Sequence, residues 1–449
     1  MYHIKIKLYM IGLSILAMLG SNCKCTQEGD GGGGGSSGGG SSMSCPFVYT
    51  FDGQQYNYTT DLGGSVLGKN IKILQPEYYE GGLYLLQDFS PTSDEYRLKI
   101  RETQFESSYF DMARLVLADV PEGYGVVSTW SFTSQLGYVS PKYFLTIRNP
   151  RPPVWATNDD GSDVLWEISH ADGQPVELTH DGISRVIVSF GKIEHPQYSK
   201  LIVTAWSQYA DLETTLSPPH VPATVIETRD ANGDWVIREM SGKNAGDRHS
   251  WAIDLAGLLD ANDSTMRITM AHQAIGRDIL DQVLFDDSRP VKLELTELSP
   301  KAAYLHSGGR ATYEPQNQYH PMNAKDDYNA LEPRAILSGW YTRYGDVMSL
   351  VDSVDDRFVL MSHGDSLFLS FDAPELPDGK SRSVFLAADV FYSIAFDVKQ
   401  RRLTNSIYPL PYHGMTTYPY DPDHWPYKDD DSYHGYEKYY NTRLVGIGK

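Results

Sequence analysis

The chain has 449 residues, with 38 Lys or Arg against 58 Asp or Glu, a formal charge of −20, and 41% hydrophobic residues. That is apolar material for two or three packed domains, because a single core stops growing near roughly 250–300 residues. The negative balance repels phosphate backbones and anionic headgroups and argues against nucleic-acid binding, while 12% aromatic residues set the chain apart from disordered polymers.

Lys5 and Lys7 precede an uncharged, mostly apolar stretch of 12 residues, Leu8 to Leu19, and then Gly20, Ser21 and Asn22. A basic start, a short apolar segment and a small-residue exit predict a secretory signal over 1–22. The segment is shorter than the roughly 20 apolar residues that a transmembrane helix needs. Cys23 and Cys25 follow, where a bacterial lipoprotein signal places the cysteine that receives diacylglycerol. The run Leu19-Gly20-Ser21-Asn22-Cys23 is one residue longer than that pattern. Both cysteines are therefore candidate lipid-anchor residues, and cleavage with release is the alternative. Gly31 to Ser42 is Gly and Ser throughout, so 23–44 reads as a flexible tether, its Gly/Ser run spanning about 20 Å. Cys45 is the third and last cysteine; a pairing with Cys25 is open in an oxidising compartment, but a disulfide scaffold is excluded.

From Cys45 onward, short runs rich in Val, Ile, Tyr, Phe and Thr alternate with turn residues. Tyr96 to Ile100 alternates faces, and Phe368 to Phe371 continues as a strand. Val225 to Arg229 and Trp235 to Arg238 flank Asp230-Ala231-Asn232-Gly233-Asp234, a hairpin signal. Helical signals are confined to Asp254–Leu259 and Tyr433–Tyr440. These patterns predict a mainly β chain: a β domain over 45–150 ending at the proline cluster Pro150 to Pro153, a β-sandwich over 151–300, and a β domain over 301–449. A Pro/Tyr-rich C-terminal strap completes the expected two or three antiparallel sandwich-like domains.

Several blocks carry a resemblance. They are Cys45-Pro46-Phe47-Val48-Tyr49-Thr50-Phe51-Asp52-Gly53, Tyr341-Thr342-Arg343-Tyr344-Gly345-Asp346-Val347, Pro409-Leu410-Pro411-Tyr412-His413-Gly414-Met415, Tyr418-Pro419-Tyr420 and Tyr440-Asn441-Thr442-Arg443. In this order they resemble an uncharacterised family of large secreted bacterial proteins and lipoproteins, some of which also carry FG-GAP, ASPIC/UnbV-type or tetratricopeptide repeats. Ser381 to Phe396 departs from the Trp and acidic run of that family. The resemblance implies architecture and export, and it brings no activity with it.

Three patterns have chemical potential. Gly364-Asp365-Ser366-Leu367 with Asp421-Pro422-Asp423-His424 spells the two blocks of GDSL hydrolases, but the strand after Ser366 leaves no nucleophile elbow. Two acidic turns have spacing compatible with calcium: Asp159, Asp160 and Asp163, and Asp230, Asn232 and Asp234. The second lacks the Gly and the Glu of an EF-hand and is read first as a hairpin turn. The 13 histidines form no zinc motif, and no phosphate loop is present, so no metal or other cofactor is assigned. The third pattern is the C-terminal aromatic tract. Tyr412, His413, Tyr418, Tyr420 and Trp425 are its candidate ligand-binding residues, since exposed rings stack on sugars or protein partners. The favoured alternative is a strap that buries those rings and sends hydroxyls to water. His413 with Asp423 and His424 is the acid/base grouping there. The resulting expectation is an exported bacterial protein, lipid-anchored at the outer membrane or cell surface, that binds or scaffolds a protein or glycan. An extracellular hydrolase of polysaccharide or ester is the rival, and it requires two facing carboxylates.

Overall fold

Branched and aromatic side chains suit a pleated, half-buried surface, and they dominate the runs between Gly, Pro and Asp turns. In the computed structural model, the described residues are 46–62, 82–103, 106–129, 143–174, 176, 183–209, 224–241, 247–270, 272–273, 276–312, 325–329, 337–394, 396–397, 402–403, 406–415 and 418–446. Strands account for 51% and helices for 8% of the described residues. The chain is mainly β, built of several antiparallel sheets, as the sequence predicts. The signal, the tether, Cys23, Cys25 and Cys45 lie outside the described residues.

The first strands are β1 (Phe47–Phe51), β2 (Tyr56–Asp61), β3 (Gly82–Leu85), β4 (Glu95–Arg101) and β5 (Glu106–Pro121), followed by the hairpin β6 (Gly125–Ser128) and β7 (Phe144–Ile147). Next come β8 (Trp155–Asn158), α1 (Leu165–Ser169), β9 (Arg185–Ser189), β10 (Lys200–Tyr209), β11 (Thr224–Arg229), β12 (Trp235–Ser241), β13 (His249–Asp254), β14 (Met266–Thr269), β15 (His272–Gln273) and β16 (Gly276–Asp286). The last third adds β17 (Glu294–Leu298), β18 (Ala302–Ser307), β19 (Arg310–Thr312), β20 (Lys325–Asp327), β21 (Gly339–Tyr341), β22 (Gly345–Asp346), β23 (Val359–Ser362), β24 (Asp365–Asp372) and β25 (Lys380–Ile394). It ends with β26 (Phe396–Asp397), β27 (Arg402–Leu403), α2 (Asp431–Tyr440) and β28 (Arg443–Val445).

Alternation sets the first sheet. In β4, Tyr96, Leu98 and Ile100 are buried while Glu95, Arg97 and Lys99 are half-exposed, the period of two that a sheet with one solvated face demands. This sheet runs β2-β1-β4-β24-β18-β22, with Arg101 to Glu95 paired to Ser366 to Asp372. The second sheet runs β17-β5-β25-β3, and β23 adds to β5. It is apolar on both faces. Leu115, Leu117, Leu386 and Ala388 pack towards the first sheet, whereas Val116, Ala118, Val120, Phe385 and Ala387 pack with Val126 and Phe144 of the β6–β7 hairpin.

Segments 45–150 and 301–449, read from sequence as separate domains, are one sandwich: strands of both join in the same two sheets, β4 beside β24 in the first and β25 between β5 and β3 in the second, and share one core. The reason is that β4 and β5 find their central partners, β24 and β25, near the other end of the chain, a pairing that local pattern does not encode. Within segment 151–300, β8 to β16 form a sandwich of their own, inserted between those halves, whereas β17 pairs with β5 in the main sandwich. The sheets of the insert are β12-β11-β14-β9-β8 and β13-β10-β16-β15, and its separate core includes Val186, Val188, Ile226, Ile268, Val203, Trp251, Ile253, Val283 and Phe285.

A buried ion pair ties the insert at its neck. Asp286 is fully buried; its Oδ2 accepts from the backbone N–H groups of Arg148 and Asn149, both at 2.9 Å. Its Oδ1 accepts from Lys200 Nζ at 2.9 Å and from the Ser288 hydroxyl at 2.5 Å. The proline cluster after Arg148 thus marks the entrance to the insert. Burial alone would raise the Asp286 carboxyl; hydrogen bonds from Ser288, the Arg148 amide and Lys200 outweigh it and hold the group at about 2. Because that value lies below the roughly 3.9 of a free aspartate, the stabilisation is complete above the free value and is lost as pH falls through about 2. Asp286→Ala leaves Lys200 buried without its carboxylate and is expected to destabilise the protein by about 3–5 kcal/mol at neutral pH, read by urea unfolding. A shift within the error of the transition would refute the role given to this pair.

Candidate functional site

The C-terminal tract packs its rings inward. Tyr420, Tyr433 and Tyr436 are buried, and Tyr412, Tyr418, Trp425, Tyr427 and Tyr440 lie partly buried against the same core. The rings form a chain of contacts: Tyr412–Tyr420 at 4.8 Å, Tyr420–Trp425 stacked at 5.8 Å, Trp425–Tyr433 at 5.3 Å and Tyr427–Tyr433 stacked at 4.3 Å between centroids. The hydroxyls go to protein acceptors and not, as the strap reading had it, to water: Tyr418 to Pro409 O at 2.8 Å, Tyr420 to Leu410 O at 2.6 Å and Tyr436 to Phe358 O at 2.8 Å. Helix α2 begins where the Asp430 side chain accepts from Tyr433 N at 3.0 Å, a cap that satisfies one orphan donor. Its buried residues Tyr433 and Tyr436 are three apart and share a face. The four aromatic candidates therefore form part of a strap that closes the sandwich. Trp425 also borders an open surface depression of about 610 Å³ that is lined by Asp423, Lys428, Asp429, Asp430 and Asp431.

His413 belongs to a different grouping from the one its sequence neighbours suggest. Its ring bridges two carboxylates, Nδ1 to Asp356 Oδ1 at 2.5 Å and Nε2 to Asp389 Oδ2 at 2.7 Å, with Asp111 Oδ2 at 3.6 Å from Nδ1. The structure records no contact of His413 with Asp423 or His424 among the described residues. Asp111 and Asp389 come together through a β-bulge. Asp389 pairs with Met112 and Val390 with Phe110, so Asp111 is the extra residue of β5, and such bulges re-aim side chains. Asp356 sits at φ 65°, a left-handed conformation that Asp tolerates better than most residues. Asp111 holds that turn by accepting from the amides of Asp355 and Asp356, each at 3.2 Å. The Tyr427 hydroxyl donates to Asp356 Oδ2.

Electrostatics follow from this burial. Asp111, Asp356 and Asp389 are buried, while the His413 side chain is 30% exposed. Burial and the neighbouring Asp389 push the Asp111 carboxyl well above the usual range. For His413, burial works against the charged ring, but the hydrogen bonds to Asp356 and Asp389 outweigh it and push its pKa up to about 10. An imidazolium with both nitrogens engaged has no lone pair to offer as a general base.

Sequence reading missed Asp111, Asp356 and Asp389. A signal for two of them exists: a single carboxylate inside an apolar run, as in Tyr109-Phe110-Asp111-Met112-Ala113 and Ala387-Ala388-Asp389-Val390, is costly to bury unless paired. Ser366 lies within β24, buried, with no hydrogen-bond partner at Oγ among the described residues; its cross-strand neighbours are His306 and Arg101, and His424 stands on an exposed 3₁₀ turn. The two acidic turns use their oxygens locally. Asp230 Oδ1 accepts from the amides of Asn232 and Asp234 at 2.8 and 3.0 Å, Asp159 pairs with Arg185 at 2.6 Å, and Asp163 Oδ1 accepts from Leu165 N at 2.9 Å.

No family model matches the chain, and no curated protein matches it. Among solved structures there is a similarity to a chain of the Sulfolobus turreted icosahedral virus, from the work titled "Life in the extremes: atomic structure of Sulfolobus Turreted Icosahedral Virus". It has 9% identity, 79% coverage of this chain, 90% of that chain and a TM-score of 0.14. A likeness at that level carries no argument about fold or function.

The strap predicts its own mutational signature. Tyr433→Ala removes a fully buried ring and is expected to cost about 3–5 kcal/mol, whereas Tyr433→Phe loses only the hydroxyl bond to Asp356 O and is expected to cost about 1 kcal/mol. Guanidinium unfolding of both variants measures the difference; near-equal costs would contradict ring packing as the role of this residue.

Proposed function

We propose that this is an exported bacterial surface protein, lipid-anchored through Cys23 or Cys25 at the outer membrane or cell surface, which binds or scaffolds a glycan or protein and does no chemistry on it. The observation that carries the reading is where large exposed rings lie. Most strap rings are spent on packing, Tyr439 at 61% exposed being the main exception, while the inserted sandwich exposes two indoles on neighbouring elements, Trp155 at 45% and Trp166 at 68%, beside Val154 at 63%. Trp155 belongs to β8 at the edge of its sheet, and α1, which bears Trp166, packs on that strand. The His170 ring lies 4.1 Å from that of Trp166 between centroids. Exposed indoles stack on sugar C–H faces and anchor protein partners. The resemblance of the terminal blocks to large secreted bacterial proteins favours the same location.

Two measurements test this reading. Mass spectrometry of the mature N-terminus is expected to find a diacylglycerol-bearing cysteine at position 23 or 25, and a free terminus beyond Cys25 would sink the anchor. On a glycan array and in pull-downs with cell-envelope extracts, Trp155→Ala and Trp166→Ala together are expected to weaken binding at least about tenfold with an unchanged melting transition. Undiminished binding by the double variant would remove the inserted sandwich from the binding role.

A further inference from the structure

The geometry points to a divalent-cation site of the zinc type inside the main sandwich, with His413 Nδ1, Asp111 and Asp356 as protein ligands and Asp389 as the residue that orients the ring. One ligand atom from each of Asp111, Asp356 and His413 lies within 4.8 Å of the others. Zn–N and Zn–O bonds of about 2.0–2.1 Å put neighbouring ligand atoms of a tetrahedral ion about 3.3 Å apart. The 3.6 Å between Nδ1 and Asp111 Oδ2 already fits, and the 2.5 Å between Nδ1 and Asp356 Oδ1 is a hydrogen bond that opens by under about 1 Å when an ion replaces its proton.

Charge is the second support. Three buried carboxylates share a single cation, the His413 imidazolium that bridges Asp356 and Asp389, and among the described residues no Lys or Arg pairs with Asp111, Asp356 or Asp389. Buried carboxylates that outnumber the cations beside them are expensive. The third support is a buried atom without a partner. Asp389 is 1% exposed, its Oδ2 holds His413 Nε2, and among the described residues its Oδ1 has no hydrogen-bond partner.

The surroundings also match how such ions are held. A metal-bound histidine commonly donates its other N–H to a carboxylate, which fixes the ring and the tautomer; the Nε2–Asp389 bond does this. Asp356 is itself oriented by the Tyr427 hydroxyl and by the His413 amide at 2.8 Å. The partial exposure of His413 gives the ion an entrance. On loading, the Nδ1 proton leaves to solvent and the ion takes its place. An imidazole ligand with three protein donors suits zinc and its transition-metal neighbours, and not calcium, which takes six to eight oxygens.

The experiment uses the full mature chain stripped with EDTA, then offered Zn²⁺ or Ca²⁺ alone, desalted, and analysed for metal content. The expected result is about one equivalent of Zn²⁺ retained and no Ca²⁺, with a Co²⁺-loaded sample giving the visible bands of a nitrogen–oxygen tetrahedral site. Asp111→Asn, which keeps the side-chain shape, is expected to lose retention, and Asp389→Ala to weaken affinity about 10–100-fold. Circular dichroism of each variant certifies the fold. Folded wild-type protein that retains no Zn²⁺ would overturn the site and leave His413 as an imidazolium bridge. Equal retention by a folded Asp111→Asn variant would overturn it too, by placing the ion elsewhere.

Discussion

Fifteen residues of β25 lie antiparallel along β5, and the rest of the main sandwich depends on that ladder. Its two edges receive β3 on one side and β17 and β23 on the other. Both faces are apolar, so one is closed by the first sheet and the other by the β6–β7 hairpin. The ladder contains a single irregularity, the bulge at Asp111, and that is where Asp111 and Asp389 reach His413. Packing and chemistry are therefore set by one pairing: where it is regular it builds a core, and where it slips by a residue it gathers carboxylates around His413.

Buried acids recur wherever parts of the molecule meet. Asp286 joins the neck of the insert to Lys200. Asp61, fully buried, binds His249 Nε2 at 2.7 Å and the Asp247 amide at 3.0 Å, which couples the edge strand β2 to the inserted sandwich. Asp119 takes the Arg382 guanidinium in two bonds of 2.7 and 2.8 Å across β5 and β25. Asp365 receives the Arg443 guanidinium and the Tyr344 hydroxyl, which pins the end of the chain to the first sheet. Part of the acidity that sets the net charge is thus interior and directional. Each such pair costs desolvation and returns it only in one geometry, so a wrong junction is penalised more heavily than a merely loose one.

How much of this was legible in sequence depends on range. The fold class was readable, because Tyr96 to Ile100 and Phe368 to Phe371 carry the strand period in their own side chains. The hairpin at Asp230 to Asp234 was readable for the same reason, and Gly233 takes φ 88° there. The strap was readable from its density of Tyr and Pro, though the destination of its hydroxyls was not. What sequence could not supply is partnership at a distance. Nothing in Arg97 or Leu98 names Ser370 or Leu369, so an interleaved sandwich looked like two domains in series. The same limit hid the His413 cluster, whose carboxylates come from three separate stretches of chain. His413 itself was singled out, with the wrong neighbours, because only Asp423 and His424 were near it in sequence.

The interleaving of the main sandwich has a consequence for the order in which the chain acquires structure. Strands β1 to β5 are made first, yet β4 and β5 have no central partners until β24 and β25 exist. The insert, by contrast, holds all of its strands in one continuous stretch and is closed at its neck by Asp286. Long-range pairing is slow, and a half-built sheet exposes edges that aggregate. A nascent molecule thus carries an inner module whose strands are all present before those of the outer sandwich, which closes only when β24 and β25 pair with β4 and β5.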